Sequence, residues 1–375
     1  MKVFVGMSGG VDSSVSAALL KEAGHDVTGV FIKTWHPDFL ECTWREDRQD
    51  AMRVAADLGI PFLTCDLEEV YKREVADYMI REYAAGRTPN PDVMCNQHVK
   101  FGAFFAWARA QGAEKIATGH YARIKEMRHA SNERREGVSS PATRNPQPVT
   151  HQLLIGVDET KDQSYFLWTL SQDVLAHVLF PVGSMKKTEV REHALRLGLS
   201  VAQKKDSQGV CFLGHVDMKE FLKRFITVTP GAVLDERGHQ IGTHEGALLY
   251  TLGERRGFTI TEKTPHDAPR YVIAKDMDAN TITVSDSPHD ARIGQANMIM
   301  LTDTNWTTGS SPDMSEQLTC RFRYRQPLLP CAIEVHTTST KVHFSSPATF
   351  ATPGQSLVVY RGEECLGGGI VDSVE

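Results

Sequence analysis

The sequence predicts an α/β domain on a parallel sheet, followed by a small linking domain and an antiparallel β-barrel. Three observations carry that expectation. Short apolar runs alternate with helix-period patterns over the first part of the 375-residue chain. A glycine pair joins the first of those runs to the first helical pattern. Beyond about residue 227, turn residues recur at short intervals between alternating runs. The expected boundaries are 1–210 for the catalytic α/β domain, 211–285 for the linking domain and 286–375 for the barrel.

The elements follow in order. Residues 2–7, rich in β-branched and aromatic side chains, read as a strand, and 13–23 as a helix stopped by Gly24. Residues 27–32 form a second strand. Ala51, Val54, Ala55 and Leu58 fall at helical spacing within 47–58, ended by Gly59 and Pro61. Residues 62–65 are a third strand, 67–85 a long helix, 97–111 another helix and 115–119 a strand. Strand–helix alternation of this kind means parallel strands with crossover helices. Residues 126–150 lose apolar periodicity and are rich in Arg, Ser, Pro and Asn, so an exposed, mobile insertion is expected there. Strand character returns at 153–157, and 186–197 and 217–226 read as helices. After that, alternating runs at 271–274, 281–284, 333–336 and 356–359, separated by turns such as Pro230-Gly231 and Pro353-Gly354, predict antiparallel β structure.

Composition narrows the class. Hydrophobic residues make up 41% and charged residues 23%, an ordinary globular balance, and the net charge of −6 gives no overall support for nucleic-acid binding. An RNA site must therefore rest on local basic patches. Candidates are Lys186, Lys187, Arg191 and Arg196 on one helical segment, and Arg321, Arg323 and Arg325, which alternation would place on one strand face. Tyr324 would then point to the opposite face unless the strand bends. No apolar run reaches bilayer length, and the first residues carry no secretory pattern, so no membrane association is expected. The seven cysteines are odd in number and lack any C-x-x-C pair, which argues for thiols in a reducing cytoplasm rather than a disulfide scaffold or a structural metal; no metal ligands are assigned.

The first strand runs into Ser8-Gly9-Gly10-Val11-Asp12-Ser13, with a helix behind it. Two glycines let the backbone turn tightly near a ligand, and a helix N-terminus offers free N–H groups suited to phosphate. Ser8 and Ser13 can add hydroxyls. Asp12 is out of place beside a phosphate unless it holds a metal ion or orients an amide. The lysine of a Walker A loop is absent. A plain glycine turn before a helix cap is the simpler alternative; the position at the first strand of an α/β unit favours a ligand loop. The motif GMSGGVDSS resembles the pyrophosphate loop of the N-type ATP pyrophosphatases, which adenylate a carbonyl or carboxylate oxygen.

Two of the cysteines stand in polar, turn-forming surroundings. Thr88-Pro89-Asn90-Pro91-Asp92-Val93-Met94-Cys95-Asn96 is a stiff loop, with Cys95 expected just ahead of a helix, where the dipole lowers a thiol pKa. Lys204 and Lys205 precede Asp206-Ser207-Gln208-Gly209-Val210-Cys211 and would favour a thiolate if they fold toward it. Cys42, Cys65, Cys320, Cys331 and Cys365 read as small buried hydrophobes.

These segments, with KFG, ATGHYAR, KDQSYFLW, TLGERRG and RYRQ, resemble the bacterial tRNA-specific 2-thiouridylases over nearly the whole chain. The resemblance implies that Cys211 carries a persulfide and Cys95 is the nucleophile or resolving thiol, with Asp92 as a possible acid or base. It implies that Gly6, Met7, Ser8, Gly9, Gly10, Val11, Asp12 and Ser13, with Ile32 and Gly119, hold ATP. Asn90, Pro91 and Asp92 would meet the target base, and His120, Lys161, Asp162, Gln163, Arg323, Tyr324 and Gln355 would contact tRNA. Family members commonly carry methionine where this chain has Ile32. The implied reaction adenylates the 2-carbonyl oxygen of the wobble uridine in the anticodon loop, with ATP and Mg²⁺, and replaces it with sulfur supplied by a persulfide-donating relay protein or a cysteine desulfurase. Two other classes compete. An amide-forming adenylating ligase would need an ammonia source and leaves the two cysteine motifs unexplained. A non-catalytic RNA-binding protein leaves the intact Gly9, Gly10, Asp12 and Ser13 unexplained.

Overall fold

A computed structural model describes residues 1–39, 44–128, 149–205, 217–261, 268–287, 296–313, 316–337 and 339–375. Strand β1 (Lys2–Gly6) leads into α1 (Val11–Glu22), β2 (Asp26–Lys33), α2 (Trp44–Asp57) and β3 (Phe62–Asp66). Two long helical runs follow. The first is α3 (Glu68–Tyr71) and α4 (Asp77–Ala84) around a π-helical stretch, Lys72–Ala76. The second is α5 (Pro91–Met94) and α6 (Phe105–Ala110) around a longer one, Cys95–Phe104. Next come β4 (Lys115–Ala117), the hairpin β5 (Ala122–Arg128) and β6 (Val149–Ile155), then α7 (Gln172–Leu175), β7 (Val178–Leu179), α8 (Lys187–Arg196) and α9 (Met218–Leu222).

The first sheet has the order β3-β2-β1-β4-β7 and all its pairings are parallel. Both faces are covered, which is why β1 and β2 read as near-continuous apolar runs. Phe4 and Ile116 face the core shared with Val93, Val99 and Phe104; Val3, Val5 and Phe31 face the one shared with Val15, Val54 and Val190. The chain steps from β1 outward to β3, then returns on the other side of β1 as β4. That reversal opens a crevice at the carboxyl ends of β1 and β4, the place where open α/β sheets bind ligands.

Strands β8 (Gly231–Leu234), β9 (Gln240–His244), β10 (Thr259–Ile260), β11 (Tyr271–Asp276) and β12 (Thr281–Ser285) form a sheet that is mixed rather than purely antiparallel, because β8 and β12 run parallel. The last six strands are β13 (Ala296–Trp306), β14 (Leu318–Arg321), β15 (Leu329–Val335), β16 (Thr340–Ala348), β17 (Ser356–Arg361) and β18 (Glu364–Val374). They close into an antiparallel barrel through the β13–β18 pairing, around Ile299, Leu301, Leu318, Val342, Leu357 and Val359.

Two expectations need correction. Residues 126–128 and 149–150 are not insertion: they are the outer arms of the β5–β6 hairpin, which pairs through Leu153 and Leu154 with β18 and extends the barrel sheet. Their polarity reflects an exposed two-stranded edge; 129–148 lie outside the described residues. The three alternating arginines do not share a strand face. Strand β14 ends at Arg321, and the chain then bends, with Arg325 at φ 64° and the Gln326 side-chain oxygen accepting from the Phe322 and Arg323 amides.

Arg321 turns inward because a buried acid waits for it. Its guanidinium pairs with Asp162 and donates to the Tyr360 hydroxyl at 2.8 and 3.0 Å, with Arg321 and Asp162 both buried. Asp162 also accepts from the Gly156 and Ser164 amides at 3.0 and 3.1 Å. This cluster rivets the barrel to the first domain. Arg321→Met would leave the Asp162 carboxylate buried without its cation and should lower the unfolding free energy by about 3–5 kcal/mol in urea titration. The double variant Arg321→Met with Asp162→Leu should recover most of the loss; an unchanged single variant would contradict the rivet.

Candidate active site

The glycine loop sits in the crevice. Gly9 adopts φ 71°, and a Cβ there would lie 2.3 Å from the Asp47 carbonyl oxygen, so α2 leaves room only for glycine. Gly10 caps α1 in an extended conformation; among the described residues a Cβ there would have only Ser8 Oγ within 4 Å, at 3.4 Å. The loop is held by its own hydroxyls. Ser13 Oγ donates to the Gly10 carbonyl at 3.2 Å and accepts from the Ser8 amide at 3.2 Å, and Ser14 Oγ donates to Gly10 at 2.7 Å. The two expected hydroxyls also meet each other, Ser8 Oγ lying 3.3 Å from Ser13 Oγ, with Ser13 buried and Ser8 exposed.

Gly119, just past β4, presses on the first turn of α1: a Cβ there would lie 2.6 Å from the Ser13 amide nitrogen and 2.8 Å from the Asp12 carbonyl carbon. Ile32 borders Gly6, its Cδ1 3.6 Å from where a Cβ on that glycine would be. The structure therefore gathers Gly6, Ser8–Ser13, Ile32 and Gly119 at one end of the sheet. It also resolves the oddity of Asp12, whose carboxylate accepts from Lys187 Nζ at 2.7 and 2.8 Å and from the Tyr121 hydroxyl at 2.7 Å. Lys187, read from sequence as part of an RNA-facing helix, instead neutralises an acid beside the loop. The sequence carried a signal for it: a carboxylate in a phosphate loop calls for a counter-ion.

Lys204 is a second correction. It donates to Asp47 at 2.8 Å and Asp50 at 2.7 Å, which, against the cost of burial, hold its pKa above the ordinary range. It anchors α2 over Gly9 rather than sitting free for a thiolate. Cys211 itself lies outside the described residues, as does Cys42.

Cys95 is buried inside a helix, not ahead of one. The helix starts four residues earlier: Asn90 is the cap, its Oδ1 accepting from the Val93 amide at 3.3 Å, and Pro91 takes the first position, where a missing N–H costs nothing. The π-helical widening from Cys95 explains the glycine of KFG, since a Cβ on Gly102 would meet the Gln97 carbonyl oxygen at 2.8 Å. All three parts of the chain hold this segment. Thr88 donates its amide to Pro353 at 2.9 Å and bonds the Thr251 hydroxyl at 3.2 Å, and Asn96 Nδ2 donates to the Phe166 carbonyl at 3.0 Å. Phe166 in turn packs on Tyr324, ring centroids 4.7 Å apart.

Two titratable groups here are displaced from their ordinary values. Burial pushes the Asp92 carboxyl up, opposed by Lys100. Burial, aided by the same Lys100, holds His120 well below 6.5, so its imidazole is neutral near pH 7. His120 is packed against Phe101 and Phe180, with Nδ1 2.7 Å from Thr118 Oγ1. Phe101, on the cysteine-bearing helix, thus packs on the residue after Gly119, ring centroids 5.6 Å apart. Cys65, Cys320 and Cys365 are buried as expected, burial pushing Cys65 up to about 11 and Cys365 up to about 12, whereas Cys331 is only half-buried.

Several expected tRNA contacts have side chains engaged within the protein. Asp162 is in the rivet, and the Gln163 side chain accepts from the Tyr121 amide at 2.9 Å. Arg323 donates to the Leu252 and Phe350 carbonyls at 2.6 and 3.0 Å. His120 is buried. Lys161, Pro91, Asn90 and Tyr324 are half-buried, and Gln355 keeps a buried Oε1 with no hydrogen-bond partner among the described residues. Lys100, Tyr121 and Asn96 are the site residues that the sequence alone left without a role, and Lys187 is one to which it gave a different role.

Comparisons with known proteins agree with this layout. Residues 1–215 match a family model described as a tRNA methyl transferase HUP domain, 219–286 its PRC-barrel domain and 296–371 an aminomethyltransferase β-barrel domain. The tRNA-specific 2-thiouridylase MnmA of Listeria welshimeri is 41% identical over 377 residues, covering 100% of this chain and 95% of the relative. The enzyme of the same name from Lacticaseibacillus paracasei is 41% identical over 376 residues, covering 100% and 94%. That of Streptococcus thermophilus is 41% identical over 374 residues, covering 99% and 95%.

Proposed function

The chain belongs to the tRNA-specific 2-thiouridylase family and is a tRNA sulfurtransferase, and from that premise we propose how its residues carry out the reaction. The observation that supports the proposal most is the meeting of two devices at one end of the sheet: the glycine loop with Gly119, and the Asn90-capped helix bearing Asp92 and Cys95, whose Phe101 ring packs on His120 next to Gly119.

The 2-carbonyl oxygen of uracil is a poor leaving group. Transfer of AMP to it from ATP makes it a good one, with pyrophosphate released. The loop fits a nucleotide's phosphates: Gly9 and Gly10 bring backbone close, the α1 N-terminus faces them, and Gly10 leaves space that a side chain would fill. Asp12, tied to Lys187 and Tyr121, fixes the first turn of α1 rather than meeting phosphate as a bare anion. Among the described residues no cluster of three or more His, Cys, Asp or Glu could hold a metal, so Mg²⁺ would enter with the phosphates.

Asn90, Pro91 and Asp92 take the extruded base, with the Asp92 carboxyl, pushed up by burial, as the acid or base beside it. Cys211 receives a terminal sulfur from a persulfide-donating protein. That sulfur attacks the activated C2, and AMP leaves. Cys95 thiolate then attacks the Cys211 Sγ, which frees the sulfur on C2 and leaves a Cys95–Cys211 disulfide; a two-electron reductant restores both thiols. In the alternative order, Cys95 attacks Cys211 first and releases hydrosulfide, which attacks C2. Among the described residues no helix is long and apolar enough to cross a membrane, and we place the reaction in the cytoplasm with its tRNA.

The test is incubation of unmodified tRNA with the protein, ATP, Mg²⁺ and a persulfide donor, followed by nucleoside mass spectrometry. The expected result is an oxygen-for-sulfur replacement in the wobble uridine, with AMP formed in step. AMP formation without a thiolated nucleoside would overturn the assignment.

A further inference from the structure

We propose that Arg255 and Arg256, at the tip of the TLGERRG turn, grip two phosphates of the tRNA strand that leads into the modified nucleotide. The proposal rests on the tRNA-modifying reading above and deepens it. The turn is built to be stiff. Gly253 and Gly257 both lie in the left-handed region, at φ 82° and 88°. That backbone favours glycine at both, and a Cβ on Gly253 would in addition press on Phe350 at 3.0 Å, while one on Gly257 would displace Lys219 Nζ.

Glu254 binds the turn from inside. Its carboxylate accepts from the Thr251 amide at 3.1 Å and pairs with Lys219 at 2.7 Å, and its carbonyl accepts from the Val272 amide at 2.9 Å. Lys219 lies 3.5 Å from the centroid of the buried Tyr250 ring, and the Tyr250 hydroxyl donates to the Gly257 carbonyl. Of the three charged residues in the motif, Glu254 is therefore consumed by the frame. Arg255 and Arg256 are exposed and have no ion-pair or hydrogen-bond partner among the described residues.

The frame also fixes where these two cations stand. Thr251 bonds Thr88, two residues ahead of Asn90, and Leu252 accepts from Arg323. A rigid turn that presents adjacent guanidinium groups beside the base-binding loop matches a polyanion with regularly spaced phosphates. Guanidinium groups bind phosphate in a forked, bidentate way, and ordering the backbone in advance lowers the entropy lost on binding. Such contacts set affinity and register and leave the chemical step alone.

The experiment compares wild type with Arg255→Gln/Arg256→Gln and with Arg255→Lys/Arg256→Lys, measuring binding of unmodified tRNA across a salt series and steady-state thiolation. In the glutamine variant, the slope of log Kd against log salt should fall by about 1.5–2, as expected for two lost phosphate contacts. The KM for tRNA should rise roughly tenfold while kcat at saturating tRNA changes less than about twofold. The lysine variant should retain most of the slope. A glutamine variant with wild-type slope and KM would overturn the proposal. So would a defect seen with a persulfide-donating protein but absent with inorganic sulfide, which would assign the pair to the donor. If wild type itself neither binds nor thiolates tRNA, the functional reading fails instead.

Discussion

Gly9→Val should lower tRNA-dependent ATP–pyrophosphate exchange by about a thousandfold while leaving tRNA affinity within about twofold. The backbone at Gly9 is left-handed, where a β-branched residue is strained by about 1–2 kcal/mol or more. The added Cβ would also lie 2.3 Å from the Asp47 carbonyl oxygen. Helix α2 cannot easily retreat, because Lys204 ties Asp47 and Asp50 to the strand of chain that leads toward Cys211. The loop must yield instead, and with it the amides proposed to meet phosphate. Gly10→Ala separates a binding effect from a folding one. Among the described residues only Ser8 Oγ lies near a Cβ there, at 3.4 Å, so the protein should keep its unfolding midpoint while exchange still falls, because the methyl group enters the space proposed for phosphate. Wild-type exchange in both variants would remove the nucleotide role of the loop.

Cys95→Ser should abolish thiolation, by about a thousandfold or more, with adenylation intact. The substitution changes one atom in a helix held by the Asn90 cap and the Asn96–Phe166 bond, so the fold has no reason to change. A serine hydroxyl cannot attack the Cys211 sulfur as a thiolate does, so AMP transfer should proceed and sulfur transfer stop. Cys211→Ser should behave alike with a persulfide donor. Inorganic sulfide then distinguishes the two orders of events: it should restore product in both variants if hydrosulfide is the attacking species, and in neither if the persulfide attacks directly. Full activity of both variants with a persulfide donor would show that the two-cysteine scheme is wrong.

Read from sequence, the helix bearing Cys95 began too late because two prolines look like turn punctuation. Pro91 is in fact the first helical residue, and Asn90 three residues before Val93 is a cap signal that was present in the text of the chain. The β5–β6 hairpin was misjudged for a different reason: its outer arms are polar because they form an exposed edge, and periodicity fades where neither face is buried.

The order of residues alone determined the parallel sheet, the glycine loop at its first strand and the β-rich second half. Each rests on local backbone preference or on burial with a fixed period, which neighbours in the chain suffice to set. The destination of the charges was decided only by tertiary structure. Arg321 meets Asp162 across 159 residues, Lys204 meets Asp47 across 157, and Lys187 meets Asp12 across 175. A cation in sequence can face solvent, RNA or a buried acid equally well; the choice follows from which carboxylate the packed elements leave in need of a partner, and no local pattern encodes that.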